Sequence, residues 1–336
     1  MHSNTDVPFL RTETNVLTIT DMPFELAEHI LNQLHPLELY CCYGVSQGIS
    51  DIVKNNLHHP KSLGIYFSDK VSVVFADGMY AKYTKGTGKC GYAYGTYNDD
   101  EIPFERKERE GYLNDVKYDE AGLNVFTSIL TMPGNHIEKL MIRFKKGYNP
   151  NKHIARIEKA LVSLKEKLAV ACVDFTHLNP KQVMRILPYL MPGTLKTISI
   201  FKSACGEEDN ATLRKISRTQ QWRHAEIIYV MFPSMIPIRN FLHLQMFSFI
   251  RENMTARELA NFKNSLFKHQ HIGQVELYIR NTEFDRGIAR RVLGPCTPDE
   301  TQPDAGFYHG PNGTLDLYMY RDDDGSTGVF ITRLDE

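Results

Sequence analysis

The chain has 336 residues, with Lys+Arg 39 against Asp+Glu 40 and a formal net charge of −1 at pH 7. At about 150 residues per domain this length points to two structured units. Hydrophobic residues at 42% and charged residues at 24% exclude a mostly disordered, collagen-like or coiled-coil chain. The charge balance excludes a strong positive field as the basis for binding nucleic acid or an anionic membrane, so neither is an expected partner.

The opening segment, MHSNTDVPFLRTETNVLTIT, has no basic stretch followed by an apolar core, and secretion is not expected. No apolar run approaches the roughly 20 residues that a membrane helix needs. The six cysteines, Cys41, Cys42, Cys90, Cys172, Cys205 and Cys296, show no C-x-x-C spacing. Free thiols in a reducing compartment are the expectation, which points to cytoplasm or nucleus. Sequons at Asn210, Asn253 and Asn312 would then carry no glycan.

After a leader over 1–19, residues 20–57 read as three short helices. Asp21 is placed to cap the first, whose first turn holds Pro23 and Glu25; Leu26, Ile30, Leu31 and Leu34 then share a face, and Pro36 is expected to stop it. A second stretch runs from Leu37 to Val45, and Ser46 is placed to cap a third helix carrying Ile49, Ile52, Val53 and Leu57. Below about 40 residues such a unit makes a poor core without a partner.

The pattern of Met22, Pro23, Glu25, Leu26, Ile30, Leu31, Leu34 and Leu39, then Val45-Ser46, Ile49, Ile52 and Val53, resembles an F-box. That resemblance implies docking onto the adaptor Skp1, and through it a cullin, in a ubiquitin ligase. The implied contact residues are Pro23, Leu26, Ile30, Leu31, Leu34, Leu39, Val45, Ile49 and Ile52.

Residues 58–118 read as a β-rich segment with loops. KVSVVFA and MYAKYTK flank Asp77-Gly78, a hairpin turn signal; CGYAYGTY is a further strand, and DDEIPFERKEREG reads as a charged surface loop. Gly86, Gly88 and Gly91 match G-x-G-x-x-G, but a strand rather than a helix follows, so a flexible turn is expected and no nucleotide cofactor.

From about residue 121 strands alternate with helices. Strands are expected at 137–144, 169–175, 194–201, 225–230 and 274–279, with an extra one at FLHLQMFSF. Helices are expected around Ile154, Ile157, Leu161, Leu164 and Leu168, and around Val183, Ile186, Leu187 and Leu190. Thr255 and Glu258 form a capping box for a third. The spacing predicts a parallel-leaning sheet with helices on one face, in the manner of leucine-rich repeats. The fold class expected is thus mixed, α+β and α/β: a helical unit, a short β segment and a repetitive strand-helix domain.

ILPYLMPGTLKTISI, QWRHAEIIYV and FLHLQMF with its following helix resemble the FTH domain found after the F-box in a large group of nematode proteins. The resembling domain is placed at 119–285, with a C-terminal extension over 286–336 that contains hairpin turns at Asn312-Gly313 and Asp324-Gly325. Trp222 is expected to anchor the core. G-x-S-x-G and H-E-x-x-H are absent, and the histidines form no metal-ligand pattern. The expectation is a non-enzymatic adaptor with no catalytic residue, cofactor or metal, and with an unidentified protein target. The alternatives are an interaction module acting without ubiquitin transfer, and an α/β hydrolase assembled from distant loops.

Overall fold

The computed structural model describes residues 22–42, 47–56, 59–87, 89–96, 106–202, 206–281, 284–298, 305–322 and 325–334. Asp21, Val45, Ser46 and Gly88, and the roles expected of them, lie outside the described residues. The chain divides into two compact units, Met1–His58 and His59–Glu336.

The first unit holds α1 (Phe24–Leu31), α2 (Pro36–Cys42) and α3 (Gln47–Asn56). Pro36 begins the second helix instead of stopping the first, because a missing N–H costs nothing at a first helical position. The His35 N–H donates to Glu38 Oε2 at 2.9 Å, closing that helix start. Ala27, Leu31, Leu39, Ile49, Ile52 and Val53 form one buried cluster, with Leu34 and Cys42 packed against it.

The second unit is built on one continuous sheet. Its strands are β1 (Ser62–Phe67), β2 (Val71–Ala76), β3 (Met79–Lys85), β4 (Lys89–Thr96), β5 (Arg106–Asn114), β6 (His136–Phe144), β7 (Ala169–Thr176) and β8 (Thr197–Phe201). They continue as β9 (Ile227–Pro233), β10 (Met246–Arg251), β11 (Gln274–Ile279), β12 (Thr297–Pro298), β13 (Ala305–Gly310), β14 (Gly313–Arg321) and β15 (Thr327–Leu334). Between strands lie α4 (Tyr118–Leu130), α5 (Asn151–Val162), α6 (Pro180–Met184), α7 (Glu207–Ile216), α8 (Gln220–His224), α9 (Ala256–Lys268) and α10 (Arg286–Leu293).

Among the described residues the strand order is β12-β13-β14-β15-β11-β10-β9-β8-β7-β6-β1-β2-β3-β4-β5. The stretch from β1 through β6 to β11 pairs in parallel and both flanks pair antiparallel. From β6 to β11 each strand is laid beside its predecessor. Crossovers of one hand then put every connection on the same face.

Side-chain alternation agrees. Leu140, Val173, Ile198, Ile228, Phe247 and Val275 stand side by side in register and are fully or almost fully buried, as are Ile142, Phe175, Ile200, Val230, Phe249 and Leu277. Burying each such side chain is worth about 1.5–3 kcal/mol before entropy is counted. The helical stripe Ile154, Ile157 and Leu161 is buried too, which is the physical content of the period-3.6 pattern in the sequence. The architecture is therefore mixed α/β, with a long sheet covered by helices on one face.

Local signals are realised where chemistry close in sequence decides. Asp77 and Gly78 take positive φ between β2 and β3, as the hairpin turn requires. Thr255 and Glu258 exchange hydrogen bonds at the start of α9. Trp222 is fully buried. Three further expectations differ. The helix expected through Leu190 ends at Met184 and gives way to a 3₁₀ turn over Leu187–Tyr189, because Pro188 cannot continue an α-helix. The strand expected from Phe241 begins at Met246, since Phe241 to Leu244 closes a turn with the Leu244 N–H donating to the Phe241 carbonyl at 3.0 Å. The charged segment read as a loop contains β5, at the edge of the sheet, where charges are tolerated and discourage pairing with another chain.

His153 on α5 is buried among the rings of Phe67, 4.2 Å away, and Tyr148, 5.6 Å away, with Nε2 3.2 Å from Asp119 Oδ2. Burial holds its pKa below the usual histidine range; Asp119 opposes that shift, and Lys152 and Arg156 add to it. The unfolded chain therefore takes up a proton at higher pH than the fold does. The stability tied to His153 is complete above about pH 6.5 and drains as the pH falls toward the depressed folded value. His153→Gln should have a urea midpoint that drops less between pH 7.5 and 5 than the parent's. An equal drop would remove His153 as the cause.

Candidate functional site

Two surfaces present chemistry beyond what folding uses. The first belongs to the helical unit. Pro23 is exposed and its carbonyl accepts the Leu26 and Ala27 N–H groups at 3.1 and 3.0 Å, so the proline fixes where α1 starts. Leu26 is 48% exposed and Phe24 is 51% exposed, an unusual pair of large apolar side chains left in water on one helical turn. Ile30 and Leu34 are half-buried. Leu31, Leu39, Ile49 and Ile52 are buried in the unit's own cluster. The residues named from sequence thus divide into an outer group, Pro23, Leu26, Ile30 and Leu34, and an inner group that holds the helices together. Val45 lies outside the described residues. Phe24 was missed because the stripe read from the sequence began at Leu26, two residues after it.

The second surface is the sheet face opposite the buried rows. Over Ile227 to Phe232 of β9 and throughout β11 the burial alternates, leaving Ile227, Tyr229 and Met231, and Gln274, Glu276 and Tyr278, half-exposed. Parallel sheets are normally covered on both faces; here one row of this face runs from buried side chains, at Asp174, Ser199 and Ser248, to half-exposed ones, at Tyr229 and Glu276. Charges on it are managed unevenly. Asp174 accepts from Arg143 through Nε at 3.1 Å and Nη2 at 2.5 Å, and from Thr176 Oγ1 at 2.9 Å. Among the described residues Glu276 accepts one long hydrogen bond, from Gln274 Nε2 at 3.3 Å. Around it Tyr229 donates to Met246 Sδ at 3.5 Å, and Tyr318 and Tyr320 stack at 5.5 Å. Alternation of Tyr and Glu in IIYVMF and QVELYI was the available signal for this face.

A cavity of about 630 Å³ lies between the loops at 131–136 and 163–169, with Met191 on its wall. Its titratable lining is exposed: Lys165, Glu166 and Lys167 from one loop and His136 from the other. Among the described residues no group of three or more His, Cys, Asp and Glu side chains is placed to hold a metal ion. Cys42, Cys90, Cys172 and Cys296 are free thiols, and burial pushes the first three up, away from reactive thiolate. No helix among the described residues is long and apolar enough to cross a membrane.

Comparison with protein families finds an FTH domain over residues 151–295, from α5 through α10. The match takes in the parallel strands β7 to β11 and hence Tyr229, Glu276 and Tyr278, whereas Tyr318, Tyr320 and Phe330 are added by the segment after it. No F-box family match is found. No curated protein and no solved structure matches the chain.

Proposed function

We propose that the chain is the substrate-recognition adaptor of a Skp1-cullin-F-box ubiquitin ligase, acting in the cytoplasm or nucleus. The helical unit docks on a Skp1-type adaptor and the sheet unit holds a protein target. The chain contributes no reacting group. It raises the effective concentration of target at a conjugating enzyme, an effect that proximity alone makes large.

The observation that carries the reading is the exposure of Phe24 and Leu26 on a helix whose inner residues already satisfy the unit's core. Large apolar side chains left on the surface of so small a unit suit insertion into a partner. The FTH domain is consistent with an F-box-associated interaction role. Pro23, Leu26, Ile30 and Leu34 then make the contact directly, while Leu31, Leu39, Ile49 and Ile52 hold the helices that present them.

The test is co-purification of recombinant Skp1 with the full chain and with a Phe24→Asp, Leu26→Asp double variant. Capture should fall by about tenfold or more, as expected for losing apolar anchors from an interface. Circular dichroism should stay unchanged because both positions are exposed. Leu31→Asp is unsuitable here, since a buried charge would unfold the unit. Undiminished capture by the double variant would reject the contact, and no capture by the parent chain would reject the ligase reading.

A further inference from the structure

Glu276 stands out on the open face. Register sets Ser248 on one side of it and Phe330 on the other, with Tyr229 beyond Ser248. Tyr278 is its neighbour on the same face of β11, and Tyr318 lies opposite Phe330. Among the described residues no lysine, arginine or histidine forms an ion pair with its carboxylate. The contrast is Asp174, which sits on the same face and is fully answered by Arg143. Burial raises the Tyr229 hydroxyl pKa and the Glu276 charge adds to that shift, so the carboxylate's field reaches the ring across Ser248.

The aromatic groups are held in place before any ligand arrives. Tyr320 lies flat across Gly328: a Cβ there would fall 2.2 Å from the ring Cζ, so only glycine lets the ring cross β15 toward Tyr278. Tyr318 stacks on Tyr320 with planes 20° apart. Tyr rings present negative π faces, which attract cations, and the carboxylate between them does the same. A neutral or acidic partner would instead leave Glu276 covered and unpaired, which is costly. Charge complementarity therefore selects the occupant.

We propose that the open sheet face around Glu276 docks an arginine or lysine side chain presented by a partner protein, with the carboxylate as ion partner and Tyr229, Tyr278 and Phe330 as flanking walls. The proposal rests on the reading that this sheet unit holds a protein target, and it names the chemistry by which the target is chosen. Because Phe330 and Tyr320 come from the segment after the matched domain, the site needs both the FTH strands and the C-terminal hairpin.

Two methionines report on it directly. Met246 Sδ is 3.5 Å from the Tyr229 hydroxyl and Met231 Sδ is 3.3 Å from Ser248 Oγ, both on this face. The full chain, labelled at methionine methyls with ¹³C, is titrated with N-acetyl-arginine amide and, separately, with its neutral isostere N-acetyl-citrulline amide. Saturable shifts of Met231 and Met246 are expected with the arginine probe, with buried Met132 and Met319 unmoved. Glu276→Gln should weaken the response about tenfold, and Tyr278→Leu, which keeps the charge and removes a π face, by less. Equal shifts with citrulline amide, an unaltered response in Glu276→Gln, or no saturable shift would each overturn the proposal. Shifts that follow protein concentration with no probe present would assign the face to a second copy and overturn it equally. Skp1 capture uses other residues, so loss of that capture with the arginine response intact would remove the ligase reading alone.

Discussion

Trp222→Ala should cost about 3–5 kcal/mol of folding stability, the range for emptying a fully buried aromatic site. Trp222 is the one tryptophan in the chain and no part of it reaches solvent. Its Nε1–H donates to the Asn240 carbonyl at 2.9 Å, its ring meets Phe241 edge-on at 5.5 Å, and His243 Nε2 donates to its own carbonyl at 2.9 Å. The residue before it reaches the other way: Gln221 Nε2 donates to the Leu190 carbonyl at 2.8 Å. Two adjacent residues on the short α8 thus tie the connection before β8 to the connection before β10. Truncation removes ring volume and also removes the donor from the part-buried Asn240 carbonyl. Trp222→Phe separates the two effects, since it keeps most of the packing and loses the hydrogen bond, at about 1–3 kcal/mol. Urea unfolding followed by far-UV circular dichroism measures both variants, because the tryptophan signal disappears with the residue. A loss below about 1 kcal/mol for Trp222→Ala would show that the two connections are held by something else.

That Trp222 would be an anchor was legible from its type and its place before a strand; that Asn240 accepts its proton was not. The difference is sequence separation. The Asp77-Gly78 turn and the Thr255-Glu258 box are decided within four residues, so the chemistry that forms them is printed contiguously. The pairing of β15 with β11 joins residues more than 40 apart and nothing local encodes it, whereas its pairing with β14 is a hairpin. The loop reading of residues 99–111 failed over 106–111 for a related reason. Arg-Lys-Glu-Arg-Glu is poor strand composition taken alone, yet at a sheet edge one bonded neighbour suffices and charge there is useful.

The candidate sites divide the same way. Period alone placed Leu26, Ile30, Leu31 and Leu34 on one face, but an eight-residue helix has room for only two turns. Which edge of the stripe turns inward is settled by α2 and α3, so Leu31 packs and Leu26 does not. Glu276 was invisible as a site because a glutamate in a half-buried strand is common; its meaning comes from Tyr229 two strands away and Phe330 far along the chain.

Arg333→Ala should cost about 2–4 kcal/mol, from hydrogen bonds to a charged donor worth about 1.5–3 each, reduced for partial exposure. One guanidinium serves four carbonyls. Nη2 donates to Leu266 at 2.7 Å and His269 at 3.3 Å, Nε to Ile272 at 3.1 Å and Nη1 to Asn312 at 2.8 Å. Leu266 and His269 lie at the C-terminal end of α9, where unpaired carbonyls and the helix dipole both favour a cation. Asn312 Nδ2 adds a bond to the Phe267 carbonyl at 2.8 Å, so the β13–β14 turn and β15 clamp the same helix end. A lysine ammonium cannot span these acceptors, and Arg333→Lys should recover less than half of the loss. The damage should be local. Amides over 305–334 should exchange faster with deuterium while those of β7 and β8 keep their protection, because β15 reaches the parallel strands only through β11. Since β15 and β14 carry Phe330, Tyr318 and Tyr320, the same variant should weaken the N-acetyl-arginine amide response of Met246 without touching Glu276. Faster exchange spread evenly over the sheet unit would mean that Arg333 supports the whole fold and that the hairpin has no separate stability for the site to depend on.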